Sequence, residues 1–395
     1  MIKFNIMFSL KAKYHMLKGV LTKKLPLYVQ FAVTKRCNLR CQMCHTVESR
    51  KNEKELTLQE IDRIADILSE MGVGVLVLTG GEPLLRHDIA DIVRSFASKG
   101  INTRLQTTGM LITDGMAADL IDAGLKDITV SLDSLDPEKQ DFINNAKGSW
   151  VKVIKGMSVF SRHLPRRGGV SGVNIVVSRL NVQEIPDVVS FVTDVGFYAS
   201  IIPVHLADSD NSSFIVRKDA PPLAFVPDDF PLIDNTYARL LSMKKRGYLI
   251  QNSSRFLRES PDFIKYKKTY WRCDSPYLYF SISPAGNFLP CVDINTTETM
   301  LDGDFLKRYR SREFIQKMEQ LVRDCSGCMY ACWPEVSYFC RDISVFGERV
   351  MQGLKMGSFE RKVVSYDEMI VMAEKTRKEK SDNTRNDYES CLNKA

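Results

Sequence analysis

Val75-Leu76-Val77-Leu78-Thr79-Gly80-Gly81-Glu82-Pro83 is the stretch on which the fold turns. An apolar run without alternation makes a strand of the kind that a parallel sheet buries on both faces, and the glycines and proline after it close the strand in a tight turn. Before it, Thr57 and Glu60 form a capping box that opens a helix to about Met71. After it, a helix from about Ile89 to Lys99 is stopped by Gly100. The alternation continues through strands near Asn102–Thr107, Asp127–Ser131, Gly172–Val177 and Ser200–Val204, with helical segments near 113–123, 150–163 and 182–194. Upstream, Leu27, Val29, Phe31 and Val33 alternate as a first strand. This rhythm predicts an α/β fold, a partial (β/α)6 TIM-like barrel over residues 27–206, with its active site at the strand C-termini.

The whole chain has 395 residues, enough for two or three domains, and its 44% hydrophobic and 26% charged content is that of a globular enzyme. Collagen-like and largely disordered chains are excluded, and no uncharged apolar window is long enough to span a bilayer. A net charge of +7 is too mild to indicate nucleic acid. Its placement is less even: from Met1 to Thr46 there is no acid, while Lys3, Lys11, Lys13, Lys18, Lys23, Lys24, Lys35, Arg36 and Arg40 supply nine cations. These lysines interrupt any signal-like apolar run, so a cytoplasmic setting is expected, where ten cysteines, seven of them in tight clusters, serve metals rather than disulfides.

The first cluster, Cys37-Asn38-Leu39-Arg40-Cys41-Gln42-Met43-Cys44, follows the first strand directly. Three thiolates on one loop suit an iron–sulfur cluster with one iron left open better than a closed zinc site, for which His45 would have to be the fourth ligand. CxxxCxxC followed one strand later by Gly80-Gly81-Glu82-Pro83 closely resembles the radical S-adenosylmethionine (radical SAM) superfamily. The resemblance spans residues 27–205. It implies that Cys37, Cys41 and Cys44 hold a 4Fe–4S cluster and that Gly80, Gly81 and Glu82 hold the methionyl amino group of SAM. It further implies SAM contacts from Thr107, Thr108, Ser131 and Asp133, although simple turn and cap chemistry would also explain those threonines and Ser131. Met43 stands where the family often has an aromatic residue, and its thioether would pack on adenine instead. The activity implied is reductive cleavage of SAM to a 5′-deoxyadenosyl radical, with electrons from a flavodoxin- or ferredoxin-type donor.

Past Val204 the rhythm breaks. Residues 207–260 begin with an Asp-, Pro- and Ser-rich stretch and read as a linker or lid, with helices expected around Thr236–Lys245 and Ser260–Thr269. Cys273 and Cys291 then flank a hairpin turned at Pro284-Ala285-Gly286-Asn287, and Cys325, Cys328 and Cys332 follow as CxxCxxxC. This pattern resembles the SPASM and twitch extensions of some radical SAM enzymes and implies a small cysteine-rich α+β domain at 261–345. A second 4Fe–4S cluster is expected on Cys273, Cys291, Cys325 and Cys328, with Cys332 a substitute for either of the last two. A zinc ribbon is the alternative. Cys340 and Cys391, the latter in the helical and polar tail of 346–395, are expected to be ordinary thiols.

Substrate is less legible. His205, Asp274 and Glu335 are candidate specificity residues or ordinary hydrogen-bonded groups. In the N-terminal segment 1–26, Met7, Leu10, Tyr14, Leu17 and Leu21 form one helical stripe with Lys11, Lys13, Lys18, Lys23 and Lys24 largely off it. Three readings follow: the helix packs the barrel bottom, lies peripherally on an anionic membrane, or meets a partner protein. An enzyme acting on a metabolite, lipid or peptide is expected. Fewer than about thirty residues before the first strand leave little room for a leader-binding domain. The alternative is a non-catalytic iron–sulfur or zinc binding module on the same scaffold.

Overall fold

The structure is a computed structural model that describes residues 10–46, 54–206, 220–323 and 325–378. Met7, Cys391, the linker residues 207–219 and the side chains of Leu10, Lys11 and Lys13 lie outside this description.

Strand β1 (Tyr28–Thr34) is followed by helix α2 (Leu58–Met71), β2 (Val75–Gly80), α3 (Ile89–Ala97), β3 (Asn102–Thr107), α4 (Asp114–Asp122) and β4 (Asp127–Ser131). Two helices, α5 (Pro137–Asn144) and α6 (Ser149–His163), lead to β5 (Ser171–Val177), α7 (Ile185–Asp194) and β6 (Tyr198–Pro203). Each of these strands pairs parallel with the next, as the strand–helix alternation requires. The Thr57–Glu60 capping box opens α2 as expected, and Gly72 ends the helix in a left-handed conformation.

Alternate strand residues face two environments. Val29, Phe31, Leu76, Leu78, Leu105, Ile128, Val130, Val173 and Ile175 are fully buried against the helices. Between them Gln30, Arg104, Gln106, Thr129 and Asn174 are half-exposed and turn to the opposite, inner face. Only β2 is apolar on both faces, because Val75 and Val77 continue its inner side. The register aligns Gln30, Val77, Arg104 and Asp127 in one row across four strands. The inner face is thus a polar wall.

Beyond β6 come α8 (Phe230–Lys245) and α9 (Ser254–Tyr266), and then the hairpin of β7 (Tyr279–Ile282) and β8 (Phe288–Leu289), turned at Gly286 with φ +82°. The hairpin does not build a sheet of its own. β7 pairs parallel with β1, giving one sheet in the order β6-β5-β4-β3-β2-β1-β7-β8. Phe280 and Ile282 extend the apolar helix-facing layer of the barrel, which is the physical reason the cysteine-rich segment joins the barrel edge. Helices α10 (Phe305–Tyr309), α11 (Arg312–Arg323), α12 (Cys332–Arg341) and α13 (Ile343–Ser358) follow, and residues 366–378 are helical.

The N-terminal helix α1 (Leu10–Thr22) departs from the reading that its apolar stripe packs the barrel. Tyr14, Leu17 and Leu21 are 61%, 58% and 71% exposed. The helix is seated by its other face: a Cβ on Gly19 would overlap the Leu27 side chain, Val20 joins an apolar cluster with Leu27 and Trp333, and His15 closes over Gly72. No helix among the described residues is long and apolar enough to cross a membrane.

Candidate active site

The cysteine loop leaves the C-terminal end of β1 and is fastened to the turn after β2 by its own backbone. Gly81 N–H donates to the Thr34 carbonyl and Glu82 N–H to that of Arg36, both at 2.8 Å. A Cβ on Gly80 would stand 2.1 Å from the Thr34 oxygen, and one on Gly81 2.1 Å from that of Arg36. The glycines are therefore demanded by the neighbouring chain, and Gly80 also has φ +133°. Buried Arg86 adds two hydrogen bonds, to the carbonyls of Val33 (3.2 Å) and Leu56 (3.0 Å), while Asp88 pairs with its guanidinium at 2.6 Å. Sequence reading passed over Arg86, although its place three residues after the proline of the turn was a usable signal.

Glu82 is completely buried. One carboxylate oxygen accepts from Leu84 N–H (2.9 Å) and the Thr107 hydroxyl (2.7 Å), the other from Thr108 N–H and the Thr108 hydroxyl (both 2.7 Å). All four acceptor positions are engaged within the protein in this structure, so Glu82 ties β2 to β3. Glu82→Gln would turn an amide N–H₂ toward these donors. We expect a loss of about 3–5 kcal/mol, read as a lower melting temperature together with weaker SAM binding. An unchanged melting temperature would show that the carboxylate is not the tie.

The loop's far side rests on α5, an element sequence reading did not separate. Gln42 N–H donates to the Ile143 carbonyl at 2.9 Å and its side chain to the Phe142 carbonyl at 3.3 Å, and the Cys41 thiol meets Asn144 Oδ1 at 3.6 Å. The signal was present in Asp136-Pro137, where Asp136 caps the backbone N–H groups of Glu138 and Lys139. Met43 packs with Val204, Leu223 and Leu206 beyond β6. Ser131 is half-exposed at the end of β4 on the inner face. Asp133 accepts from Val176 N–H at 2.7 Å, a bond between consecutive strand ends, and burial pushes its carboxyl up to about 7.

Burial raises the Cys37 thiol to about 11 and holds the Cys41 thiol well above its ordinary value, and the neighbouring thiols Cys44 and Cys37 add to the effect on Cys41. Without a counter-charge these thiols stay protonated, and a cationic iron centre would draw them into the thiolate form. Among the described residues no three such side chains converge on a single ion. Three thiols presented from one loop are a donor set that fits an iron–sulfur cluster.

A second group of thiols gathers around β7. Cys273, Cys291 and Cys328 are each pushed up, first by burial and then by one another or by Cys325. Tyr279 donates to the Cys273 sulfur at 3.3 Å, Trp271 Nε1 to the Cys328 carbonyl at 2.8 Å, and Gly327 N–H to the Cys325 sulfur at 3.4 Å. Cys332 stands elsewhere. It faces the inner wall of β1, where Gln30 Nε2 donates to its sulfur at 3.4 Å and Tyr28 lies beside it. Cys340 is buried near Asp274 and Lys23.

The three specificity candidates are all engaged internally. Asp274 is paired with Arg341, and Glu335 accepts from Ser253 N–H at 2.6 Å and pairs with Arg349 at 2.6 Å. His205 Nδ1–H donates to the Pro203 carbonyl at 2.8 Å, Nε2 accepts Met329 N–H at 2.9 Å, and its ring stacks on Tyr330 at 4.0 Å. Burial holds this imidazole neutral, with a pKa of about 3. It clamps the residue after Cys328 to the end of β6. His205→Phe should keep the ring stack but leave Met329 N–H unpaired, at about 1–3 kcal/mol. Iron content of the reconstituted protein should then fall on the Cys328 side alone; full iron retention would remove the clamp.

A family model described as the radical SAM superfamily matches residues 31–192. A probable GTP 3',8-cyclase of Pyrococcus abyssi is 32% identical over 224 residues, covering 56% of this chain and 71% of that protein. The PqqA peptide cyclase of Bradyrhizobium diazoefficiens is 26% identical over 329 residues, 82% of each. Two further curated GTP 3',8-cyclase relatives are spanned over little more than half their length, 57% and 52%. The crystal structure of Streptococcus suis SuiB bound to precursor peptide SuiA shares the fold, with a TM-score of 0.59 at 17% identity over 81% of this chain and 76% of that one. With the welded cysteine loop and GGEP turn, these matches place the chain in the radical SAM superfamily, whose members use a 4Fe–4S cluster and S-adenosylmethionine.

Proposed function

We propose that this chain is an enzyme that reductively cleaves SAM and abstracts hydrogen from an unactivated carbon of a polar small molecule or peptide. The observation that carries the reading is the attachment of the Cys37–Cys44 loop to Gly81 and Glu82, which brings the cluster ligands and the SAM strip into one rigid unit. When bound, cluster and SAM together supply the 5′-deoxyadenosyl radical. The protein's own work is placement. Cys37, Cys41 and Cys44 hold the cluster, Met43 packs beside the adenine, and Gly80 to Glu82, Thr107, Thr108, Ser131 and Asp133 shape the strand ends that receive SAM. Gln30, Gln106, Thr129 and Asn174 offer hydrogen bonds on the inner wall, which favours a reacting group rich in polar atoms over an acyl chain.

Cys273, Cys291, Cys325 and Cys328 hold a second 4Fe–4S cluster in this reading, because the four draw together while Cys332 does not. It serves electron transfer or substrate binding. The peptide option is supported by the names of the PqqA peptide cyclase and of SuiB with its precursor peptide. A flavodoxin- or ferredoxin-type protein is the electron donor, and a reducing cytoplasmic setting suits nine described cysteines that are all free of disulfides. Anaerobic incubation of reconstituted protein with SAM and dithionite should yield 5′-deoxyadenosine. Its absence from a fully iron-loaded sample would favour a binding module instead.

A further inference from the structure

A surface helix ordinarily buries its apolar stripe and shows its charged face to water. Helix α1 leaves its apolar stripe as open to solvent as Lys18. Tyr14, Leu17 and Leu21, at i, i+3 and i+7, form an outward stripe, and all three are more than half exposed. The inward face is fixed by close packing of Gly19 on Leu27 and of His15 on Gly72, so the orientation is held by the body of the protein. Helix α1 packs against α12, which packs against α13. There too Ile343 and Met351 are 84% and 57% exposed.

Directly beside the α1 stripe, at the end of the sheet opposite the cysteine loop, lies a cavity of about 770 Å³. Lys18 from α1 and Lys24 just past its end line it with Arg310 and Arg312, against the carboxylates of Glu70 and Glu319. Arg310 pairs with Glu70 at 3.0 Å, so the cationic excess lies with the other three. An apolar stripe and a cationic hollow on the same helix are what a bilayer of anionic phospholipid matches, acyl boundary to the stripe and phosphate to the hollow. A second copy docked α1 against α1 would offer the lysines no such partner, since residues 1–46 hold no acid at all.

We propose that α1 docks the protein on an anionic phospholipid surface, with Leu17 and Leu21 entering the headgroup boundary and Lys18, Lys24 and Arg312 receiving phosphate. The active-site reading does not depend on this, and the docking does not depend on the active-site reading.

The test uses full-length reconstituted protein and vesicles of phosphatidylcholine with and without phosphatidylglycerol. Sedimentation with the phosphatidylglycerol vesicles alone is expected, declining as added salt shortens the screening length. Leu17→Ser with Leu21→Ser, and separately Lys18→Glu with Lys24→Glu, should each lower vesicle affinity at least about tenfold. These side chains are at the surface, so melting temperature and SAM cleavage in solution should stay unchanged and report that the variants fold. Absence of sedimentation, equal binding to neutral vesicles, or unchanged affinity of both double variants would overturn the proposal. So would a dimer in light scattering that the leucine pair abolishes, since that assigns the stripe to a second copy.

Discussion

Replacing Cys37, Cys41 and Cys44 together by alanine is expected to abolish 5′-deoxyadenosine formation and to lower the iron content of reconstituted protein from about eight to about four. The loss is total rather than graded, because electron transfer into SAM requires a cluster at this loop. The fold should survive: the three side chains are only partly buried and the loop keeps its backbone bonds from Gly81 and Glu82. Iron analysis and product chromatography on one sample check both halves. Continued SAM cleavage in the triple variant would mean that another part of the chain holds the reactive cluster.

Cys328→Ala should have the opposite profile. About four irons are lost, those of the second group, while uncoupled SAM cleavage continues at the first. The effect on iron is large because Cys328 is buried beside Cys291 and Cys273. Cys332→Ala is the control, since its sulfur faces Gln30 and Tyr28. It should keep the full complement. Equal iron loss in both variants would show that the two cysteines exchange places.

Much of this was readable in the residues because the barrel repeats one local rule. Apolar periodicity, one capping box and terminal glycines located the six barrel strands and most of the barrel helices to within a few residues. The paired motifs at 37–44 and 80–83 are brought together in the structure by backbone hydrogen bonds at their edges. What escaped reading depends on contacts between distant residues. Nothing near Tyr279 announces that its strand pairs with Tyr28, because edge pairing is set by which faces remain unburied after the barrel closes. The internal bonds of Glu82 and His205 escaped for a related reason. A side chain's type shows what bonds it can make, and only its neighbours show whether those bonds are already made. Helix α1 is the inverse case: its amphipathic pattern was plain, and the direction it faces was not.

The pairing of β7 with β1 also sets a schedule for the growing chain. Tyr28 and Tyr279 lie about 250 residues apart, which at about 5–20 residues per second leaves the β1 edge without its neighbour for roughly 12–50 s of synthesis. Throughout that interval an unpaired strand edge and an open cysteine loop face solvent or a chaperone. Delivery of iron and sulfide to the first loop therefore has a natural window before the C-terminal half arrives, and a ribosome that stalls between the two strands would release a species prone to edge-to-edge aggregation.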